Sequence, residues 1–493
     1  MNRLMIVAAL VVLQPVYAHA EQLPQEELLV TGTMTAESIK NITSAAAIID
    51  REQIQLLNKS NLVEVLRTVP GVLVEEQGGA GGLVSVSLRG GESNFTLVMV
   101  DGVQLNDPTN TRGGSFDFGN LNIDSVERIE VIRGAQSAIY GSDALSGVIN
   151  IITTRPKPGH QQTLNLGGGE YGYWRAGVTM AGLTDDFAYK VQLGSRDSGE
   201  PVDGSQQRSD EANVGLSWSP ASKHRFTLDY RYAKGDRTSY PEQSGGPLLA
   251  QSDDLYSSDY TDESWAASWV YQVSTLWQSS LSGSRYDREE QYTSPGIVPY
   301  ASVPPNFADT DFERSSFRWV NRVGNERYWL HVGADRKEEE GRSVGRVDFG
   351  VLIPTEFELQ RATNAVFVDA NAWLGKSTLL QGSARHDDPD NIDSENSYKL
   401  GIKQLIGERW VLTANWGQGF KLPSFFGLGD SLTGNPDLTP ETAQSWDITV
   451  AWSVAEFNSS ATYFDNHFED LVTFDDVNFL NVNSDPVDTR GVE

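Results

Sequence analysis

Beyond Gly159 the chain settles into a two-residue period that returns in runs of about ten residues. "HRFTLDYRYA" sets Phe226, Leu228, Tyr230 and Tyr232 against Arg225, Thr227, Asp229 and Arg231. "RWVLTANWGQ" sets Trp410, Leu412, Ala414 and Trp416 against Val411, Thr413, Asn415 and Gly417. "NAVFVDANAWLG" and "SWDITVAW" repeat the theme. Successive strand side chains point to opposite faces, so each run has one apolar or aromatic face and one mostly polar face. Its length is that of a tilted strand crossing a bilayer. A soluble sandwich with one wet face would also alternate. The strand length and the Trp and Tyr near strand ends favour an outer-membrane barrel. About fifteen such strands fit between His160 and Asp470. Short connections ("GLTDD", "SPASK", "VGNE", "IGE") alternate with long acidic ones such as "DRTSYPEQSGGPLLAQSDDLYSSDYTDE". That asymmetry fits periplasmic turns and extracellular loops.

The first residues agree with export. "MNRLMIVAALVVLQPVYAHA" has Arg3, an apolar run from Leu4 to Leu13, and Ala18 and Ala20 just before Glu21. This reads as a signal peptide over residues 1–20, too short in its apolar run for a spanning helix. Cysteine is absent, so neither a disulfide framework nor a thiolate site is available. The net charge of −29 opposes nucleic-acid binding. The 12 Trp, 17 Tyr and 19 Phe sit oddly with a mean hydropathy of −0.37 unless aromatics are placed at a boundary, as in the girdles of a barrel.

Between the leader and the period-two region lies a different pattern. "REQIQLLNKSNLVEVLRTVPGV" is helix-like in two pieces and stops at Pro70-Gly71. "VSVSLRG", "FTLVMVDGVQL" and "VERIEVIRG" read as short strands between Gly and Asp turns. "FTLVMV" barely alternates, so it should be buried on both faces. "VERIEVIRGAQSAIYGSDALSGVINIITTRP" is β-rich but broken at Gly134, Gly141 and Gly147, which permit tight turns and close backbone approach. This domain should end near Thr154. A wide barrel would be an open pore unless filled, and this segment supplies a filling.

A globular β domain ahead of a large barrel resembles the TonB-dependent outer-membrane transporters. "EELLVTG" (Glu26, Glu27, Leu28, Leu29, Val30, Thr31, Gly32) looks like their TonB box. "LRGGESNFTLVMVDGVQLND" and "VERIEVIRGAQSAIYGSDALSGVINIITTR" look like the plug signatures, and "GFKLPSF" with "GNPDLTPET" like the mid-barrel signature. The wording is most similar to the cobalamin transporters. The resemblance implies an α+β plug inside a large antiparallel transmembrane β-barrel, 22-stranded in the family. It assigns 21–39 to TonB box and linker, 40–155 to the plug and 156–493 to the barrel. It also implies a TonB partner working with an inner-membrane energy complex, a scarce small-molecule ligand, an outer-membrane location and a monomer. A short exposed segment such as "EELLVTG" can add as a strand to a partner's sheet. Arg89, Asp101, Arg133 and Asp143 are candidates for polar pairs with the inner wall.

The same resemblance places ligand contacts on the loops "GGAGGLVSV" and "DPTNTRGG". Leu83 and Ser85 keep the expected types, while Glu92, Asn110 and Thr111, with Asp309 and Asp488 in the barrel, occupy corresponding positions with different residues. Cobalamin transporters also hold calcium in barrel loops. Asp210 and Tyr240 survive from that site, but Ala212, Pro241 and Ala250 stand where acids are expected, and hard cations need several oxygens. No cofactor is therefore expected. No nucleophile, zinc or P-loop motif supports an enzyme. A ferric siderophore is the alternative cargo; a passive porin or a surface adhesin would be a different class. The final "TRGVE" reads as the start of a strand, so the sequence is expected to be a truncated version of a longer barrel with about 15 to 16 strands present.

Overall fold

The computed structural model describes residues 29–30, 34–35, 37–59, 61–240, 254–296, 303–454 and 457–493. The leader peptide, most of "EELLVTG" and the loop positions Pro241, Ala250 and Asp253 lie outside the described residues.

Among the described residues the period-two region forms one antiparallel sheet of 16 strands in chain order. Fifteen lie between Gly159 and Glu469, where alternation places them, and Val487–Val492 is the sixteenth. Gly159–Gly168 and Val487–Val492 are the two end strands of this order, each with a single neighbour. The longest strand, Leu352–Leu374, has 23 residues, about twice what a bilayer needs, so the wall stands above the lipid on the long-loop side.

Polarity in this wall is inverted relative to a water-soluble fold. Lys190, Arg196, Arg237, Arg314, Arg385 and Lys399 are buried in the lumen, whereas Leu166, Val366 and Leu400 are 71%, 58% and 59% exposed on the outside. Only a hydrocarbon environment makes that outer face favourable. Aromatic residues collect near the short turns. His224 stacks on Tyr271 at 4.7 Å and on Trp269 at 6.0 Å, next to Phe226. A second row, Tyr230 on Trp265 at 4.3 Å and Trp446 near Tyr463 at 5.3 Å, lies farther along the strands. These rows match the girdles expected from the aromatic content.

Inside sits a five-stranded sheet in the order Ala46–Asp50, Val126–Arg133, Gly147–Thr153, Thr96–Val100, Val103–Gln104. Thr96–Val100 runs parallel to Gly147–Thr153; the remaining pairs are antiparallel. All five residues of Thr96–Val100 are buried, as its lack of alternation requires. The two helical pieces are Arg51–Leu57, closed at its start by a capping box between Asp50 and Gln53, and Leu62–Leu66, capped by Asn61. Ile54, Leu62, Val65 and Leu66 pack with Ile129, Val131 and Ile149 into the plug core. Gly147 has no room for a side chain: a Cβ there would lie 2.3 Å from the Ile132 carbonyl oxygen.

Candidate functional site

Two plug loops reach the long-loop end. In residues 77–83, Gln77 N–H donates to the Leu83 carbonyl at 3.0 Å. The Ser205 hydroxyl of the wall donates to the carbonyls of Gly78 and Ala80. Leu83 and Ser85 are half-buried at the entry to Val84–Leu88, with Ser85 opposite Glu75. In residues 107–115, Asp107 accepts from Thr109 N–H and hydroxyl at 2.8 and 2.6 Å. Burial pushes the Asp107 carboxyl above its ordinary value, outweighing Arg288 and the bonds from Thr109. Asn110 spends its amide on the loop itself, accepting from Arg112 and Gly114 N–H and donating to the Ser115 carbonyl. Thr111 is exposed at the tip, and Glu92 is exposed on a separate turn. Four of the five plug residues expected at the ligand thus lie on or beside two apical loops. Asp309 and Asp488 do not face the lumen: buried Ala308 and Thr310 flank Asp309, and Thr489, next to Asp488, is the one that donates to the Arg89 carbonyl. Period two sends their side chains to the outer face.

Beneath these loops the wall grips the plug. Arg237, fully buried, bonds Asp117 and reaches Glu290 at 3.4 Å. Arg288 joins Asp262 and Glu290 at 2.7 Å each. Asp117 also accepts from the backbone N–H of Val84 and Gly119, so one carboxylate fixes the start of a plug strand and a wall arginine together. Of the four expected plug-to-wall charges, three pair with the wall. Arg89 meets Asp447 at 3.1 Å and Glu493 at 3.0 Å, Arg133 meets Glu493 at 2.7 Å, and Asp101 meets Lys190 at 3.0 Å. Burial pushes the Asp101 carboxyl up, but Lys190 and two bonds from Thr153 outweigh it and hold it below its ordinary value. Asp143 is the exception. It accepts from Gln104 within the plug at 2.7 Å, because the turn that carries it folds back on the plug sheet.

The other end of the plug meets the short turns. Leu29–Val30 pairs antiparallel with Glu37–Ser38. Glu37, buried, is held by Arg322 at 2.9 Å. The Thr35 hydroxyl lies 2.9 Å from His331 Nε2, whose Nδ1 lies 2.9 Å from Asp369. None of these wall partners carries a local sequence signal. Each is an isolated polar residue on an alternating strand, joined to the plug across nearly 300 residues of chain.

Among the described residues no group of three or more His, Cys, Asp or Glu could hold a metal ion. Asp210 lies on a strand with Ser195 and Lys234 as its lateral neighbours, and Tyr240 ends the described part of its loop.

Residues 38–148 match the TonB-dependent receptor plug domain, and residues 153–493 match the TonB dependent receptor-like beta-barrel. The vitamin B12 transporter BtuB of Vibrio vulnificus is 27% identical over 479 residues, covering 95% of this chain and 75% of the relative. That of Vibrio cholerae is 27% identical over 505 residues, covering 97% and 76%. Among solved structures, a ferric enterobactin receptor (PfeA) mutant of Pseudomonas aeruginosa superimposes with a TM-score of 0.75 at 18% identity, covering 94% of this chain and 78% of that one. The ferric yersiniabactin uptake receptor FyuA of Yersinia pestis gives 0.71 at 16% identity, covering 91% and 75%. With a plug seated in a lipid-facing sheet and both parts matched along nearly the whole length, the chain belongs to the TonB-dependent receptors, transporters of the bacterial outer membrane.

Proposed function

We propose that this receptor takes up cobalamin or a related corrinoid. The observation that carries the reading is the 27% identity to vitamin B12 transporters sustained over 95% of the chain. In this reading residues 21–39 form TonB box and linker, 40–155 the plug and 156–493 the barrel. The ligand rests on the loops around Leu83, Ser85, Asn110 and Thr111, with Glu92 at the edge. TonB adds as a strand to Glu26–Gly32 and draws the plug's first segment out, and the receptor works as a monomer without calcium. Leu29–Val30 already pairs as a strand, which supports strand-competence in that segment.

A ferric siderophore is the second reading. It is favoured by the changed residue types at Glu92, Asn110 and Thr111 relative to those expected for a corrinoid. A porin does not fit a lumen filled by a packed domain. Titrating the purified protein with a panel of corrinoids and ferric siderophores decides between the two. Saturable binding of a corrinoid alone supports the first reading, and binding of a ferric chelate alone replaces it.

A further inference from the structure

A cavity of about 1320 Å³ opens under the plug at the short-turn end. In a chain of net charge −29 its lining is basic: Lys40, Arg133, Arg322, Arg327, Lys376 and Lys403 against Glu37 and Glu326. Three wall cations in and beside it are covered by one stretch across the junction of linker and plug, residues 37–44. Arg322 is capped by Glu37 at 2.9 Å. Lys403 donates to the carbonyls of Ile39, Lys40 and Ile42 at 3.1, 3.1 and 3.0 Å. Lys399, fully buried, donates to the Ser44 hydroxyl at 2.6 Å and to Gln136 at 2.9 Å. Lys399 and Lys403 are four residues apart on one strand, so they share its inner face.

Two wall carboxylates near Lys399 are already engaged, while Glu326 lines the cavity beside Arg327 at the short turn. Asp369 is bonded by His331, Asn371, Gln381 and Ser383. Asp447 is bonded by Arg89 and Asn415. If residues 37–44 leave, Lys403 loses all three acceptors, Arg322 loses its carboxylate and Lys399 keeps only a neutral amide. Partly desolvated cations in a low-dielectric lumen bind anions far more strongly than surface ones. Thr413, Thr449, Ser453, Ser460 and Thr462 add hydroxyl donors to the same cavity.

We propose that Arg322, Lys399 and Lys403 form a latent anion site at the exit, covered by residues 37–44 at rest and uncovered when that segment is drawn out. It takes the anionic group of the passing cargo, whether a corrinoid phosphodiester or an anionic metal chelate. The inference rests on the transport reading but not on which cargo is carried.

The test uses the purified full chain and a matched chain lacking residues 37–44, both checked for a folded barrel by heat-dependent gel mobility. Inorganic pyrophosphate is titrated by calorimetry at low ionic strength. The shortened chain should bind at least about tenfold tighter than the intact one. Lys399→Gln with Lys403→Gln in that background should abolish the gain, and Lys399→Arg with Lys403→Arg should keep it. No gain on shortening, or a gain that survives the glutamine pair, overturns the site. Should the shortened chain fail to fold, uptake is read in cells carrying the intact chain. Lys403→Gln should then retain surface binding but lose most uptake, with Lys403→Arg restoring it; equal uptake by Lys403→Gln and wild type overturns the proposal. Repeating the pyrophosphate titration of the shortened chain in the presence of cobalamin or of a ferric tris-catecholate, read as competition, separates the two cargo sources. Competition by neither removes the cargo role. Because pyrophosphate binding needs no transport, failure here is distinct from failure of the uptake reading.

Discussion

Asp101→Asn isolates one plug-to-wall anchor. Asp101 sits at a positive φ of 48° before Gly102, in the turn between Thr96–Val100 and Val103–Gln104, and asparagine tolerates that conformation. The amide can still accept from the Thr153 N–H, which bonds Asp101 at 3.0 Å. What disappears is the carboxylate shared between Lys190 at 3.0 Å and the Thr153 hydroxyl at 2.5 Å. Lys190 keeps Asp229 at 3.1 Å, so its ammonium is not stranded. The loss is therefore that of one charge-assisted bond in a site where the Asp101 side chain is only 21% exposed, about 2 kcal/mol. Because the folded carboxyl titrates below its unfolded value, this contribution is fully present above about pH 4 and is lost as pH falls through the folded value. Amide hydrogen exchange over Gly147–Thr153 in the detergent-solubilised protein reads it directly. Protection at pH 7 should drop about 30-fold in the variant, and the gap should close in acid. Equal protection at pH 7, or a gap undiminished in acid, would refute the assignment of Asp101 as a charged anchor.

Leu29→Pro removes a ladder donor from the proposed TonB strand, so cellular uptake should collapse while ligand binding to the surface persists, a split read with radiolabelled ligand. Millimolar calcium should leave ligand affinity within about twofold in a binding titration, since Ala212 stands where a carboxylate oxygen is needed. Val366→Arg places a charge on the lipid face and should cost about 2–4 kcal/mol, less if the site lies near the interface, measured by denaturant titration in vesicles. Gly147→Ala drives a methyl against the Ile132 carbonyl and the Leu88 side chain, and about 1–3 kcal/mol of overpacking should lower plug protection in exchange without dissolving the barrel.

Much of the architecture was legible because it rests on local periodicity. Alternation marked the barrel strands, and the unalternating "FTLVMV" announced a strand buried on both sides. The apolar pattern also put a helix where Arg51–Leu57 forms one, and the structure adds the capping box of Asp50 and Gln53 at its start. The site was less legible, for a geometric reason. Whether an aspartate on an alternating strand faces lumen or lipid depends on a one-residue register, and Asp309 and Asp488 fall on the outer side. Asp143 stays within the plug because a tight turn, not charge, decides its direction. The cations that hold the plug's first residues, Arg322 and Lys403, look like ordinary strand residues until the wall curves round the plug and brings them to Glu37 and to bare carbonyls.

The order of the plug sheet also sets how the domain responds to tension. Ala46–Asp50 comes first in the chain and is an edge strand, joined by five register pairs to Val126–Arg133 alone. A load applied to the start of the chain would first have to break the Leu29–Val30 pairing and the wall contacts of residues 37–44, and would then meet this single zipper before it reached the interior strands. Opening that zipper frees the chain from Leu29 to Asp50, which stretched out spans roughly 70 Å, more than twice the hydrocarbon thickness of a membrane. The sheet acts as a fuse with built-in slack: one strand can be given up while the other four keep their pairing and offer a template on which the lost strand rewinds.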